Sequence, residues 1–80
     1  MNKELIENID KLHTTLMGED RIRKNLELDD VDVVDYCKTK IMDHNAVITR
    51  KGKNWYVSID NCMITVNAHS YTIITAHKER

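Results

Sequence analysis

The chain has 80 residues, 41% of them hydrophobic and 31% charged, and a formal net charge of −1. That length supports one core and excludes two, and it buries only about 60% of the unfolded chain's surface. The hydrophobic fraction excludes a disordered tail, and the balanced charge excludes bulk basicity as a source of nucleic-acid binding. Any RNA contact must come from a local basic patch.

A single domain over residues 1–80 is expected, with helices over about 2–43 and an antiparallel sheet over about 45–78. Lys3, Glu4, Glu7 and Asp10 interrupt the N-terminal segment, so no signal peptide is expected, and no apolar run approaches the ~20 residues that cross a bilayer. Cys37 and Cys62 lack CxxC spacing, and reduced thiols in a cytoplasmic protein are expected. Proline is absent, and no linker, repeat or low-complexity stretch divides the chain.

Leu5, Ile6, Ile9 and Leu12 recur at helical spacing opposite Lys3, Glu7, Asp10 and Lys11. This predicts an amphipathic first helix ending near His13, where Thr14 and Thr15 are better caps than interior residues. A second short helix is expected over about 15–25. Glu19 and Asp20 near its start and Arg23 and Lys24 near its end suit the helix dipole. Asp29-Asp30-Val31-Asp32 reads as a third helix start, and Val33, Val34, Cys37 and Ile41 form one apolar stripe over about 30–43. Asp35, Tyr36 and Lys38 read mostly as surface.

From Asn45 the apolar period falls to two. Ala46–Arg50, Trp55–Ile59, Cys62–Asn67 and Tyr71–His77 are rich in β-branched and aromatic residues. The intervening turn signals are Lys51-Gly52-Lys53-Asn54, Asp60-Asn61 and Ala68-His69-Ser70. Such short connections force antiparallel neighbours, giving an α+β fold with the helices on one face of a four-stranded meander. The opposite face is expected to be polar, with Ser58, Thr65 and Thr75 on it, and it is the expected location of a site.

Three stretches carry a resemblance when read together. They are Leu12-His13-Thr14-Thr15 leading to Arg21-Ile22-Arg23-Lys24-Asn25-Leu26; Lys51-Gly52-Lys53-Asn54-Trp55-Tyr56; and Ser70-Tyr71-Thr72-Ile73-Ile74-Thr75-Ala76-His77. Over nearly its whole length the chain resembles a family of short bacterial proteins known only as a domain of unknown function. Helices before a meander with a Thr-Ile-Ile-Thr-Ala-like last strand are also similar to the barnase–EndoU–colicin–RelE ribonucleases. That resemblance implies toxin-type cleavage of RNA without a metal. It places a histidine at the end of an N-terminal helix, basic residues after it, and hydroxyls on the sheet. His13, then Arg21, Arg23 and Lys24, then Thr72, Thr75 and His77 match these positions. Charge is the departure, because such toxins are usually basic.

Attack of a ribose 2′-hydroxyl on the adjacent phosphate needs a base, an acid and cationic donors. Imidazole suits the first two parts because its ordinary pKa of roughly 6.5 lies near working pH, and guanidinium suits the third. The candidate catalytic residues are therefore His13, His77 and Thr75, and the candidate RNA contacts are Arg21, Lys24, Lys53 and Thr72. Plainer explanations stand beside each. His13 fits a helix end, where an imidazolium is favourable, and His77 fits an ordinary last-strand residue. Lys51–Asn54 fits a solvated hairpin turn, and Trp55 fits core packing better than base stacking.

Cys37, His44, Cys62, His69 and His77 lack the close pair spacings of structural zinc sites, so neither metal nor other cofactor is expected. Cys37 lies on an apolar stripe, where thiols are inert packing. Glu27, Asp29, Asp30, Asp32 and Asp35 form an acidic run. It fits helix capping and a solvated face, or a patch that docks a basic protein partner. The alternative function is thus a non-catalytic binding module or inhibitor, with self-association open and an antitoxin-like or target-enzyme partner. No membrane partner is expected.

Overall fold

The computed structural model describes residues 3–79, so the expected helix start at residue 2 and both ends of the 1–80 range lie outside it. Three helices, α1 (Lys3–Glu7), α2 (Leu16–Leu26) and α3 (Val33–Ile41), precede four strands. The strands are β1 (Val47–Lys51), β2 (Asn54–Ile59), β3 (Cys62–Asn67) and β4 (Ile73–Lys78), and they form one antiparallel sheet in the order β1-β2-β3-β4. No helix among the described residues is long and apolar enough to cross a membrane.

The first helix is shorter than its apolar period predicts. It ends at Glu7 and is followed by a 3₁₀ turn at Ile9–Lys11. Asn8 is the cause. Its Nδ2 donates to the Glu4 carbonyl at 2.9 Å, and its backbone leaves the helical region at φ −113°, ψ 25°. Asparagine competes for backbone bonds in this way and so terminates helices. Leu5 and Leu12 still reach the core on either side of the break.

Thr15 caps α2 as expected, its Oγ1 accepting from the Gly18 amide at 2.9 Å. Gly18 is required by close approach, since a Cβ there would fall well inside contact distance of Thr14 Oγ1. Ile22 and Leu26 form the buried stripe of α2. The helix ends on Glu27, whose left-handed φ of 56° is uncommon for a residue with a side chain. Asp32 caps α3 by accepting from the Asp35 amide at 3.0 Å, and Val33, Cys37 and Ile41 face inward.

Both helices pack on the same sheet face, which carries Trp55, Val57, Ile59, Ile64, Val66, Ile73 and Ala76. Trp55 is fully buried, which settles it as core. Tyr71 lies 5.4 Å from its ring, and the Arg50 guanidinium sits 5.5 Å over it. Tyr36, expected at the surface, is half-buried against this core. Burying each aliphatic side chain contributes roughly 1.5–3 kcal/mol, which makes this face the main source of stability.

Strand alternation puts Thr49, Lys51, Asn54, Tyr56, Ser58, Met63, Asn67, Thr75 and His77 on the other, open face. Thr65 holds that register but is only 7% exposed, between its cross-strand neighbours Tyr56 and Thr75. Turn chemistry fixes the pairing. Gly52 has φ +61° at the first central position of the β1–β2 hairpin, and Asp60 and Asn61 both have positive φ between β2 and β3.

The edge strand β4 begins two residues later than expected. Tyr71 has φ 60°, and Thr72 forms an isolated parallel bridge with His13 instead of extending the strand. Three side chains or backbone groups then cover β4's outer edge. Thr14 Oγ1 donates to the Ile73 carbonyl, Asn25 Nδ2 donates to the Ala76 carbonyl, and the Ile73 amide donates to the His13 carbonyl.

Candidate functional site

The bridge between His13 and Thr72, just before β4, organises the polar cluster with the most defined geometry. The His13 amide donates to the Tyr71 carbonyl at 3.2 Å and the Ile73 amide donates to the His13 carbonyl at 2.7 Å. These bonds fix the His13 backbone against the start of β4. Tyr71 supplies its carbonyl from a left-handed conformation that costs about 1–2 kcal/mol for a residue with a Cβ. Its ring packs on Trp55, and Lys11 Nζ lies 5.5 Å over it, contacts that offset the cost.

The imidazole is held at both nitrogens. Nδ1 is 2.9 Å from the Lys11 carbonyl, and Nε2 is 3.1 Å from Thr72 Oγ1. Thr72 Oγ1 is 2.7 Å from Ser70 Oγ, which lies 3.2 Å from Asn67 Oδ1. Asn67 Oδ1 also accepts the amides of His69 and Ser70, at 2.9 and 3.0 Å. Four side chains thus form one line from His13 to Asn67.

Donor and acceptor chemistry assigns the protons. A carbonyl only accepts, so Nδ1 carries hydrogen and the neutral ring's Nε2 accepts from Thr72. Ser70 then donates to Thr72. When Nε2 gains a proton, the imidazolium donates to Thr72, Thr72 to Ser70, and Ser70 to the Asn67 carbonyl. Two hydroxyl rotations therefore accommodate both charge states without orphaning a polar group. Because His13 is exposed, the site is open to an external proton donor.

The other expected site residues are distributed. Thr72 joins His13 directly. Thr75 is half-buried opposite Thr65, and His77 is exposed opposite Met63, both on the open face. His77 is five residues beyond Thr72, about 16 Å at strand spacing, so the two histidines do not meet at one atom. Arg21 and Lys24 are exposed on the outer side of α2, where they line a shallow depression of about 330 Å³ with Met17 and Asp20. Neither contacts His13 through a polar bond among the described residues. Arg23 is committed elsewhere, with Nη1 donating to the Asp29 and Val31 carbonyls. Lys53 is exposed at the hairpin tip.

Ser70 and Asn67 were not among the expected site residues, because Ala68-His69-Ser70 reads as turn punctuation. An asparagine accepting amides two and three residues ahead is a local turn signal, and that spacing is visible in Asn67-Ala68-His69-Ser70.

Among the described residues no cluster of three His, Cys, Asp or Glu could hold a metal ion. Burial pushes the Cys37 thiol up to about 12, with the nearby Cys62 adding to the rise. Such a thiol is a poor nucleophile. On the helical layer, Val31, Asp32, Asp35, Tyr36, Thr39 and Lys40 line an open groove of about 540 Å³. Lys40 bridges from there to Asp60 at 2.5 Å, a hydrogen bond that raises its ammonium above the ordinary value.

Fold and site together define a small α+β domain with a histidine-centred hydroxyl line at the edge of an open sheet face. The chain belongs to the family described as protein of unknown function (DUF3781), whose model matches residues 6–77. No curated protein and no solved structure matches it.

Proposed function

We propose that this domain is a metal-independent, endoribonuclease-like protein of the cytoplasm, with His13 as its proton-transferring group. The supporting observation is the His13–Thr72–Ser70–Asn67 line, which holds the imidazole at both nitrogens and tolerates its gaining a proton. In this reading His13 Nε2 takes the proton of a ribose 2′-hydroxyl that displaces Thr72. The oxygen attacks the adjacent phosphorus, and the bond from phosphorus to the 5′-oxygen breaks as that oxygen takes a proton from water at the exposed site, giving a 2′,3′-cyclic phosphate and a 5′-hydroxyl. Arg21 and Lys24 on α2 and Lys53 on the hairpin are cationic contacts for phosphates away from the reacting one, since none of them makes a polar contact with His13 among the described residues. Thr75 and His77 lie further along β4, and their distance from Thr72 favours contact with neighbouring nucleotides over chemistry at the same phosphate.

Incubation with total RNA in EDTA tests the reading. Cleavage by the native chain and its loss in His13→Ala are expected, and intact RNA at high protein concentration overturns it.

A second reading has its own observation. The groove of Val31, Asp32, Asp35, Tyr36, Thr39 and Lys40 lies on the acidic segment, and it suits a non-catalytic module that docks a basic protein. A basic partner that co-purifies with the native chain but not with an Asp32→Asn, Asp35→Asn variant supports it. Unchanged recovery of that partner by the variant removes it.

A further inference from the structure

Charge in this molecule is sorted by layer. All 13 aspartates and glutamates fall outside the four strands: ten precede residue 36, and the others are Asp43, Asp60 and Glu79. The open face therefore presents no strand carboxylate. Among the described residues its basic groups are Lys51 and His77, with Lys53 at the adjoining hairpin tip. Among the described residues neither lysine is in an ion pair, whereas Lys40 and Lys78 are tied to Asp60 and Glu27. Arg50 points to the other face, over Trp55, with its Nε donating to the Gly52 carbonyl. A net charge of −1 thus coexists with an open face whose strand charges are basic.

The same face carries one aromatic ring. Tyr56 lines an open depression of about 530 Å³ with Thr49, Lys51, Gly52 and Met63. Gly52 has open space where a Cβ would stand, so the hairpin tip does not wall the depression off. A half-exposed ring, flanked by a methyl group and a thioether and bordered by two unpaired lysines, matches the general requirement for binding single strands. Bases stack on an aromatic side chain while phosphates meet lysines, with little dependence on sequence.

We infer that the Tyr56 depression is a base-stacking subsite for single-stranded RNA, with Lys51 and Lys53 as its phosphate contacts. Free phosphate has no use for the ring, and an acidic peptide has none for its flat face. The inference deepens the RNA reading above and rests on RNA being the ligand. It does not depend on His13 chemistry, because binding and cleavage are separable.

The test uses the whole chain, EDTA, and a labelled single-stranded oligoadenylate of about 12 nucleotides, within the span of ~4–16 that such surfaces cover. The strand is 2′-deoxy, so attack by a 2′-hydroxyl cannot consume it, and the ribo form is the comparison. Fluorescence anisotropy is expected to show salt-sensitive binding. Tyr56→Ala should weaken it about tenfold, while Tyr56→Phe should keep it. Lys51→Gln with Lys53→Gln should flatten the slope of log affinity against log salt by about 1.4, as two lost phosphate contacts require. Thr49→Glu places a carboxylate on an exposed strand position without touching the core, and it should abolish binding even if Tyr56→Ala proves poorly folded.

Equal affinity of Tyr56→Ala and the native chain overturns the inference. So does equal competition by polyglutamate, which would assign the face to an acidic protein. Tyr56-dependent binding without cleavage of the ribo strand supports the subsite and retires the His13 chemistry. Cleavage that is indifferent to Tyr56 and Thr49→Glu retires the subsite and leaves that chemistry standing.

Discussion

Thr72 Oγ1 lies 3.1 Å from His13 Nε2, although the two residues are 59 apart in the chain. Their contact closes the N-terminal segment onto the residue that precedes β4. The proton arrangement of the ring is set at its other nitrogen, since Nδ1 is committed to the Lys11 carbonyl. The neutral imidazole is therefore expected as the Nδ1–H tautomer, measurable by long-range ¹H–¹⁵N correlation. Thr72→Val keeps the shape and removes the donor, and the Nδ1–H tautomer should persist because the Lys11 carbonyl still selects it. A native ring protonated at Nε2 would contradict the assignment.

Gly18 tests the close approach behind this segment. Alanine is the better helix former by about 1 kcal/mol. At position 18, however, its methyl group meets Thr14 Oγ1, whose hydroxyl is bonded to the Ile73 carbonyl. Gly18→Ala should lower stability by about 1–3 kcal/mol in urea denaturation, as overpacking does. The loss should shrink when Thr14→Ala is added.

Glu27 gives a change in the opposite direction. Its left-handed φ of 56° at the end of α2 favours glycine. The pair it forms with Lys78 at 3.1 Å is largely exposed and contributes about 0–1 kcal/mol at most. Glu27→Gly should raise the urea midpoint by a modest amount, roughly 0.5 kcal/mol in stability.

Cys37 makes stability depend on alkaline pH. The unfolded thiol titrates at 9.0, whereas burial, with Cys62 nearby, holds the folded thiol up to about 12. Below 9 both states keep the proton and the contribution is whole. Between 9 and about 12 the unfolded chain releases its proton and the folded chain does not, so stability falls as pH rises. Cys37→Ala should flatten that limb of the stability curve. In the native state a thiol reagent should label Cys62, which is half-buried, well ahead of Cys37.

Local signals made most of the fold legible. The caps at Thr15 and Asp32, the stripe Val33, Cys37, Ile41, and the alternation Trp55, Val57, Ile59 each arise from neighbours in sequence. The failures have tertiary or side-chain causes. The first helix breaks at Asn8, whose side chain and amide both bond the Glu4 carbonyl, against an apolar period that continues to Leu12. Tyr71 and Thr72 look like strand residues but are diverted by the bridge to His13, a contact no local pattern encodes. Of the candidate site, His13 and Thr72 were legible separately. Their connection through Ser70 to Asn67 depends on a turn that folds the polar ends of residues 67 and 70 back toward β4.

The most direct measurement uses a DNA oligonucleotide carrying a single ribonucleotide, incubated with the native chain in EDTA. Cleavage on the 3′ side of that ribose is expected, leaving a 2′,3′-cyclic phosphate, with the rate falling about 100-fold or more in His13→Ala. An intact strand, or equal cleavage by His13→Ala, would contradict the account.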